Sequence, residues 1–86
     1  MKHLTVFYQK HCPYCIRAFN YIEELKKEYP ELASLDIETI DEIQEPDIAN
    51  RFDYYYVPTF YLDGKKIHEG AITKQDVEKI LLEAVK

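Results

Sequence analysis

The stretch of sequence that decides the fold reads LTVFYQKHCPYC and covers residues 4–15. Its first part is rich in β-branched and aromatic residues, which predicts a buried strand over residues 3–8. Cys12 follows a short break, and the next residue is Pro13, a type favoured in the first turn of a helix. We therefore expect Cys12 and Cys15 to lie where a strand meets the N-terminus of a helix.

Beyond this stretch, the pattern of apolar residues predicts an α/β fold in one domain covering residues 1–86. Asp63-Gly64 is a tight-turn signal between two strands, and Thr73 is a good N-cap for the last helix. The predicted elements after the first strand are a helix to about residue 29, a strand at 34–40, a helix at 46–53, strands at 59–63 and 65–69, and a final helix. The order β-α-β-α-β-β-α predicts a four-stranded mixed sheet with flanking helices, because a β-α-β unit gives a parallel pair and a hairpin an antiparallel pair.

Composition limits the classes of function. The formal net charge of −5 argues against a nucleic-acid-binding protein, which needs a basic surface to neutralise phosphates. No segment has the roughly 18 consecutive apolar residues of a membrane span, and the first residues do not resemble a signal peptide. We expect a cytoplasmic monomer without nucleic-acid or membrane partners.

The tetrapeptide Cys12-Pro13-Tyr14-Cys15 carries the chemistry that the sequence predicts. A thiol at a helix N-terminus faces free main-chain N–H groups and the positive end of the helix dipole, and both stabilise a thiolate. We expect Cys12 to be the nucleophile and Cys15, almost one turn further on, to attack a mixed disulfide on Cys12. A structural role for the pair, or metal binding completed by His11 or His3, is the alternative. Because the chain has only two cysteines and no second CxxC, we expect no metal.

A second candidate element is Val57-Pro58-Thr59, a proline directly before a predicted strand. In combination with an upstream CxxC it predicts a cis bond between Val57 and Pro58. The main chain of Val57 would then be free to pair with an extended peptide as an added strand. Lys10, His11 and Arg17 surround the motif in sequence, either as a cationic collar that attracts an anionic thiol or as ordinary solvated charges.

These residues resemble the glutaredoxins over essentially the whole chain. The CPYC tetrapeptide resembles the dithiol motif of that family, Val57-Pro58 its cis-proline, and the order of elements its minimal thioredoxin fold. The resemblance implies a glutathione-dependent thiol–disulfide oxidoreductase in which Cys12 attacks protein disulfides or glutathionylated proteins and Cys15 or glutathione resolves the intermediate. It also implies a substrate and glutathione site, with supporting residues around it. The binding residues would be Lys10, Tyr14, Val57, Pro58 and Gly70, and the supporting residues Pro13, His11 and Thr59.

The sequence departs from the family at two positions that commonly contact glutathione. Gln9 stands where a lysine or arginine is usual, and Glu45 stands where a glutamine or a cation is common. These departures favour an alternative, a glutaredoxin-like protein recharged by thioredoxin reductase that hands electrons to a dedicated protein such as ribonucleotide reductase. A further alternative is an iron–sulfur carrier in which Cys12 from two chains and two glutathiones hold the cluster.

Overall fold

Four strands and three α-helices follow one another in the predicted order, and the computed structural model describes residues 1–86. The strands are β1 (Leu4–Tyr8), β2 (Ile37–Asp41), β3 (Thr59–Leu62) and β4 (Lys65–Glu69). The helices are α1 (Pro13–Glu28), α2 (Pro46–Ala49) and α3 (Lys74–Ala84), with a short 3-10 turn at Pro30–Leu32. None of the helices combines the length and the hydrophobicity that a membrane span requires.

The strands form one mixed sheet in the order β2-β1-β3-β4. Strands β1 and β2 are parallel, whereas β3 is antiparallel to both β1 and β4, with a register shift between Phe60 and Tyr61. The predicted four-stranded mixed sheet with flanking helices is therefore confirmed. Because β1 is a central strand of the sheet, its C-terminal end lies between β2 on one side and β3 on the other.

Alternation along β1 divides the core into two clusters, since successive side chains of a strand point to opposite faces. Leu4 and Val6 pack with apolar residues of α1 and α3, including Ile22 and Leu81. Phe7 lies on the other face in a smaller cluster. The members of that cluster are Phe7, Ile40, Ala49 and Tyr61, with Phe52 and Tyr54 packed against it. Both faces of the sheet are thus covered, and the second cluster lies under the segment that leads to Pro58.

Two predicted boundaries were wrong by three residues or more. Strand β2 begins at Ile37 rather than at residue 34, because Leu35 enters the larger core cluster from the turn before the strand. Helix α2 ends at Ala49 rather than at residue 53, because the N–H groups of Arg51 and Phe52 each bond to the carbonyl three residues earlier. The predicted cap of α3 is confirmed, since the Thr73 hydroxyl accepts the N–H of Asp76 at 3.1 Å.

Candidate active site at the N-terminus of helix α1

Cys12 is the N-cap residue of α1, and Pro13 occupies the first helical position. The Sγ atom of Cys12 accepts a hydrogen bond from the main-chain N–H of Cys15 at 3.3 Å. The first N–H groups of a helix have no partner inside the helix, so they can donate hydrogen bonds to a sulfur at the cap. The same sulfur lies at the positive end of the helix dipole. The Cys12 sulfur therefore lies at the open N-terminal end of α1, in contact with a main-chain donor.

Cys15 lies in a different environment, because its residue surface is only 1% exposed. Burial raises the pKa of the Cys15 thiol to about 12, and the hydrogen bond with Cys12 acts in the same direction. The main-chain N–H of Gln9 faces the Cys15 sulfur and partly offsets this rise in pKa. Both cysteines are free thiols, so the structure shows the reduced form. The pair therefore consists of a partly accessible sulfur at the cap and a buried, protonated thiol behind it.

The peptide bond between Val57 and Pro58 is cis, as predicted, and it lies against the first cysteine. The Sγ atom of Cys12 is 3.9 Å from the carbonyl oxygen of Val57. The N–H of Val57 has no hydrogen-bond partner within the chain. Pro58 and Thr59 are buried, and the Thr59 hydroxyl donates to the carbonyl of Tyr56. A free main-chain donor thus lies next to the nucleophile.

Gly70 follows β4 directly and contacts the main chain at Pro58. Its N–H donates to the carbonyl of Pro58 at 2.8 Å, so that donor is occupied within the chain. Its φ of 91° lies in the left-handed region that side chains other than glycine rarely adopt. Gly70 therefore supports the main chain around Pro58.

The cationic residues near the motif do not form one cluster. The guanidinium of Arg17 lies 5.7 Å from the centre of the Tyr14 ring, which is half exposed. Lys10 and His11 line a separate surface groove, together with Asp41 of β2. None of these three side chains forms an ion pair with a carboxylate. No three His, Cys, Asp or Glu side chains come together in an arrangement that could hold a metal ion.

A carboxylate that the sequence did not single out lies behind the motif. Glu42 follows β2 directly, and its side chain accepts hydrogen bonds from the side-chain amide of Gln9 and from the Tyr54 hydroxyl, the latter at 2.7 Å. Burial and the bond to Glu42 raise the pKa of Tyr54. The charge of Glu42 also contributes to the raised pKa of Cys15. The side-chain amide of Gln9, which precedes Cys12 by three residues, is therefore bound to Glu42, and Gln9 lines the same surface groove as Lys10 and His11.

A family model described as a thioredoxin domain matches residues 2–82. The chain belongs to the thioredoxin-domain family.

Two curated relatives agree with the thioredoxin assignment. The chain is 30% identical to a thioredoxin of Methanocaldococcus jannaschii over 83 residues, which are 96% of this chain and 91% of that protein. It is 28% identical to a probable thioredoxin of Methanothermobacter thermautotrophicus over 74 residues, 86% of this chain and 85% of that protein. The crystal structure of oxidised mitochondrial thioredoxin 3 from Saccharomyces cerevisiae superposes with a TM-score of 0.69 and 27% identity, over 95% of this chain and 77% of the other.

This thioredoxin-domain chain is a thiol–disulfide oxidoreductase, and Cys12 and Cys15 are its redox-active pair. The expected superfamily is confirmed, whereas the glutaredoxin branch, its glutathione dependence and the cytoplasmic location stay predictions. The structure brings Cys12, Cys15, Val57, Pro58 and Gly70 together, with Tyr14 beside them, and places Lys10 and His11 in the neighbouring groove. Glu42 gave no signal in the sequence beyond its membership of an acidic run.

Proposed function

We propose that this protein is a dithiol reductase of protein disulfides. The Cys12 thiolate attacks one sulfur of the substrate disulfide, forms a mixed disulfide and releases the other substrate sulfur as a thiolate. Cys15 then attacks the Cys12 sulfur, so the substrate leaves with its second sulfur reduced and a Cys12–Cys15 disulfide remains. Two electrons pass from the chain to the substrate. The observation that carries this proposal is the pairing of a capped, partly accessible Cys12 with a buried Cys15 one turn away.

The order of the two steps follows from the difference between the two thiols. A thiol with a pKa of about 12 is almost entirely protonated at neutral pH, so Cys15 does not compete with Cys12 for the first attack. Cys15 must lose its proton in the second step. The departing substrate thiolate is the natural acceptor, because it forms in the same step and needs a proton. Cys15 then acts only when a mixed disulfide occupies Cys12.

The main chain at Val57 supports a role for extended protein segments as substrates. Its N–H is free, and its carbonyl lies 3.9 Å from the attacking sulfur. A substrate strand that donates to the carbonyl and accepts from the N–H would bring its own cysteine next to Cys12. This pairing is independent of the substrate's side chains, so it suits a reductase that acts on many disulfides.

We propose a reductase protein, of the thioredoxin reductase class, as the electron donor. Glutathione is an anionic tripeptide, and the positions that would hold its carboxylates are poor here. Gln9 is bound to Glu42, and Glu45 places a carboxylate at the start of α2. The N–H of Gly70 is occupied by Pro58. Transfer of electrons directly from the dithiol of a reductase protein needs only Cys12, Cys15 and the surface around them, and it needs no glutathione site.

Glutathione-dependent exchange is the second candidate, and two observations favour it. The CPYC tetrapeptide is the motif of the glutaredoxins, and Lys10 is an exposed cation two residues before Cys12. The free N–H of Val57 suits the main chain of glutathione as well as that of a protein. In this case glutathionylated proteins would join protein disulfides as substrates.

Two coupled assays of NADPH oxidation separate the candidates, each with a protein disulfide and a glutathione mixed disulfide as substrates. One assay regenerates the protein with thioredoxin reductase alone, and the other with glutathione and glutathione reductase. We expect turnover mainly in the first. Turnover mainly in the second would overturn the proposed donor and establish the glutathione-dependent candidate. Cys12→Ser is the control, and it should be inactive in both assays.

A further inference from the structure

The segment before Pro58 exposes two aromatic rings beside the active site. We call residues 54–57 the tyrosine loop. Tyr54 is half buried, and its ring stacks on Phe7 with the ring centres 5.0 Å apart. Tyr55 and Tyr56 are instead 86% and 71% exposed. Large apolar side chains exposed next to each other in this way are unusual on a surface that has no partner.

The main chain of the tyrosine loop is fixed by Glu69 at the end of β4. The Glu69 carboxylate accepts hydrogen bonds from the N–H groups of both Tyr55 and Tyr56, the latter at 3.0 Å. Lys66 donates to the same carboxylate at 2.8 Å. These three contacts lower the pKa of Glu69 to about 2. Glu69 is therefore ionised and bound to the loop at neutral pH.

The hydrogen bonds of Glu69 determine which groups of the tyrosine loop a binding partner can contact. Because Glu69 occupies the N–H groups of Tyr55 and Tyr56, a partner cannot bind those two donors, whereas the N–H of Val57, beside Cys12, has no partner within the chain. The exposed rings are also attached to an ordered main chain, so a partner that covers them orders little more than two side chains. The Tyr56 main chain is held from the other side too, since its carbonyl accepts from Thr59.

The charge around the loop indicates the chemistry of the partner. A surface groove joins Tyr55 to Glu42 and to the exposed side chain of Ile43. Asp53, two residues before Tyr55, is also exposed, and the chain as a whole carries a net charge of −5. Lysine and arginine bind to the faces of aromatic rings. The chain shows this arrangement at Tyr14, over which the guanidinium of Arg17 lies.

We propose that Tyr55 and Tyr56, held in place by Glu69, form a docking surface for an extended segment of the protein substrate that carries arginine or lysine beside its disulfide cysteine. The inference rests on the proposed function and adds a substrate preference to it. The substrate segment pairs with Val57, its cysteine reaches Cys12, and its basic side chain lies on the tyrosine rings. Glu69 is a positioning residue, since it acts through the main chain of the loop.

The test uses three probes, which are disulfide-linked homodimers of one short peptide with Arg, Ala or Glu next to the cysteine. Pre-reduced protein is mixed with each probe, and the single-turnover rate is followed as a function of probe concentration. We expect the Arg probe to saturate the protein at a lower concentration than the Ala probe, by about two- to fivefold for each ring that it contacts. The preference is measured as the probe concentration at half-saturation and not as the limiting rate, because an arginine next to the cysteine also lowers the pKa of the leaving thiol and so changes the rate of exchange itself.

Variants of the tyrosines separate contact with the rings from attraction by the net charge. Tyr55→Ala and Tyr56→Ala should each lose about two- to fivefold of the preference for the Arg probe, whereas Tyr55→Phe and Tyr56→Phe should retain it. A preference for the Arg probe that came from long-range attraction by the net charge would remain in the alanine variants, because they keep that charge. Equal saturation by the Arg and Ala probes with the wild type would overturn the proposal, as would an unchanged preference in the double alanine variant.

Glu69 is tested with a graded pair of variants. Glu69→Ala removes the acceptor and should abolish the preference for the Arg probe, whereas Glu69→Gln keeps an amide oxygen that accepts from the loop and should retain part of it. The rate at which each variant reduces a small symmetrical disulfide is the control. This rate depends on Cys12 and on correct folding, but not on the docking surface. If the wild type reduces neither the small disulfide nor any peptide, the proposed function itself fails. If the wild type reduces both but shows no preference, the docking surface alone fails.

Discussion

The sulfur of Cys12 lies 3.9 Å from the carbonyl oxygen of Val57, so the nucleophile and the main chain before Pro58 share one surface. A strand end and a helix N-terminus provide the first of these groups, and the loop before β3 provides the second. In the proposed function, a substrate that pairs with Val57 would bring its sulfur to Cys12 by the same contact.

The two thiols should differ in reactivity in the folded, reduced protein. Since the pKa of Cys15 is raised to about 12, Cys15 stays protonated between pH 7 and 9 and is also buried. Iodoacetamide, which reacts with thiolates, should therefore label Cys12 alone under native conditions. Peptide mapping by mass spectrometry checks this, with labelling in denaturant as the control that should modify both cysteines. Equal native labelling of both would contradict the assigned environments.

Stability at acidic pH should depend on Glu69. Its pKa is lowered from 4.5 to about 2, so the folded state binds the proton less readily than the unfolded state does. The stabilisation is then fully present above about pH 4.5 and is lost as the pH falls towards 2. Glu69→Gln should show a shallower fall of Tm between pH 4.5 and 2 than the wild type. The lowered pKa of Glu83 is common to both proteins and cancels in the comparison. Parallel Tm profiles would argue against the Glu69 contacts.

The smaller core cluster should contribute strongly to stability, because Phe7 contacts three other rings. Its ring centre lies 4.7 Å from that of Phe52, 5.0 Å from that of Tyr54 and 5.7 Å from that of Tyr61. Phe7→Ala should lower the free energy of unfolding by about 3–5 kcal/mol, measured by urea denaturation. Ile43→Ala, at a side chain that is mostly exposed, is the control and should change it by less than about 0.5 kcal/mol. A small effect of Phe7→Ala would mean that this cluster is loosely packed.

The cap of α3 gives a smaller and independent test. Thr73→Ala removes the hydroxyl that accepts the N–H of Asp76, so it should destabilise the protein by about 0.5–2 kcal/mol. Thr73→Ser keeps the acceptor and should stay close to the wild type in the same urea denaturation experiment. A loss of equal size in both variants would show that the Thr73 methyl group, rather than its hydroxyl, stabilises this end of the helix.

The scaffold was predictable because its signals are local. The strand before Cys12, Pro13 at the helix start, the Asp63-Gly64 turn and the Thr73 cap each follow from the residues at that point of the chain. The start of β2 was misplaced because Leu35 is apolar, and an apolar residue in a turn has the same pattern as one in a strand. Whether Leu35 lies in a turn or in a strand depends on its contacts with the helices, and the residues that make these contacts are distant in the sequence.

The site was predictable at its cysteines and its proline, and less so around them. Cys12 and Cys15 are one turn apart on a helix whose start the sequence predicts. The role of Glu69 depends on the position of β4 beside the tyrosine loop. This position brings Glu69 next to Tyr55 and Tyr56, which precede it by 14 and 13 positions in the sequence. The contact between Gln9 and Glu42 likewise joins residues 33 positions apart. Such side-chain contacts with distant residues follow from the sheet topology and leave no periodic pattern in the sequence.

The most direct test of the central claim is to trap the substrate on Cys12. Cys15→Ser is mixed with a protein disulfide and analysed by intact-mass and peptide-mapping mass spectrometry, with Cys12→Ser as the matched variant. The account predicts a stable mixed disulfide between Cys12 and the substrate in Cys15→Ser, and no adduct in Cys12→Ser. An adduct on Cys15 in Cys12→Ser, with none on Cys12 in the other variant, would contradict the assignment of nucleophile and resolving thiol.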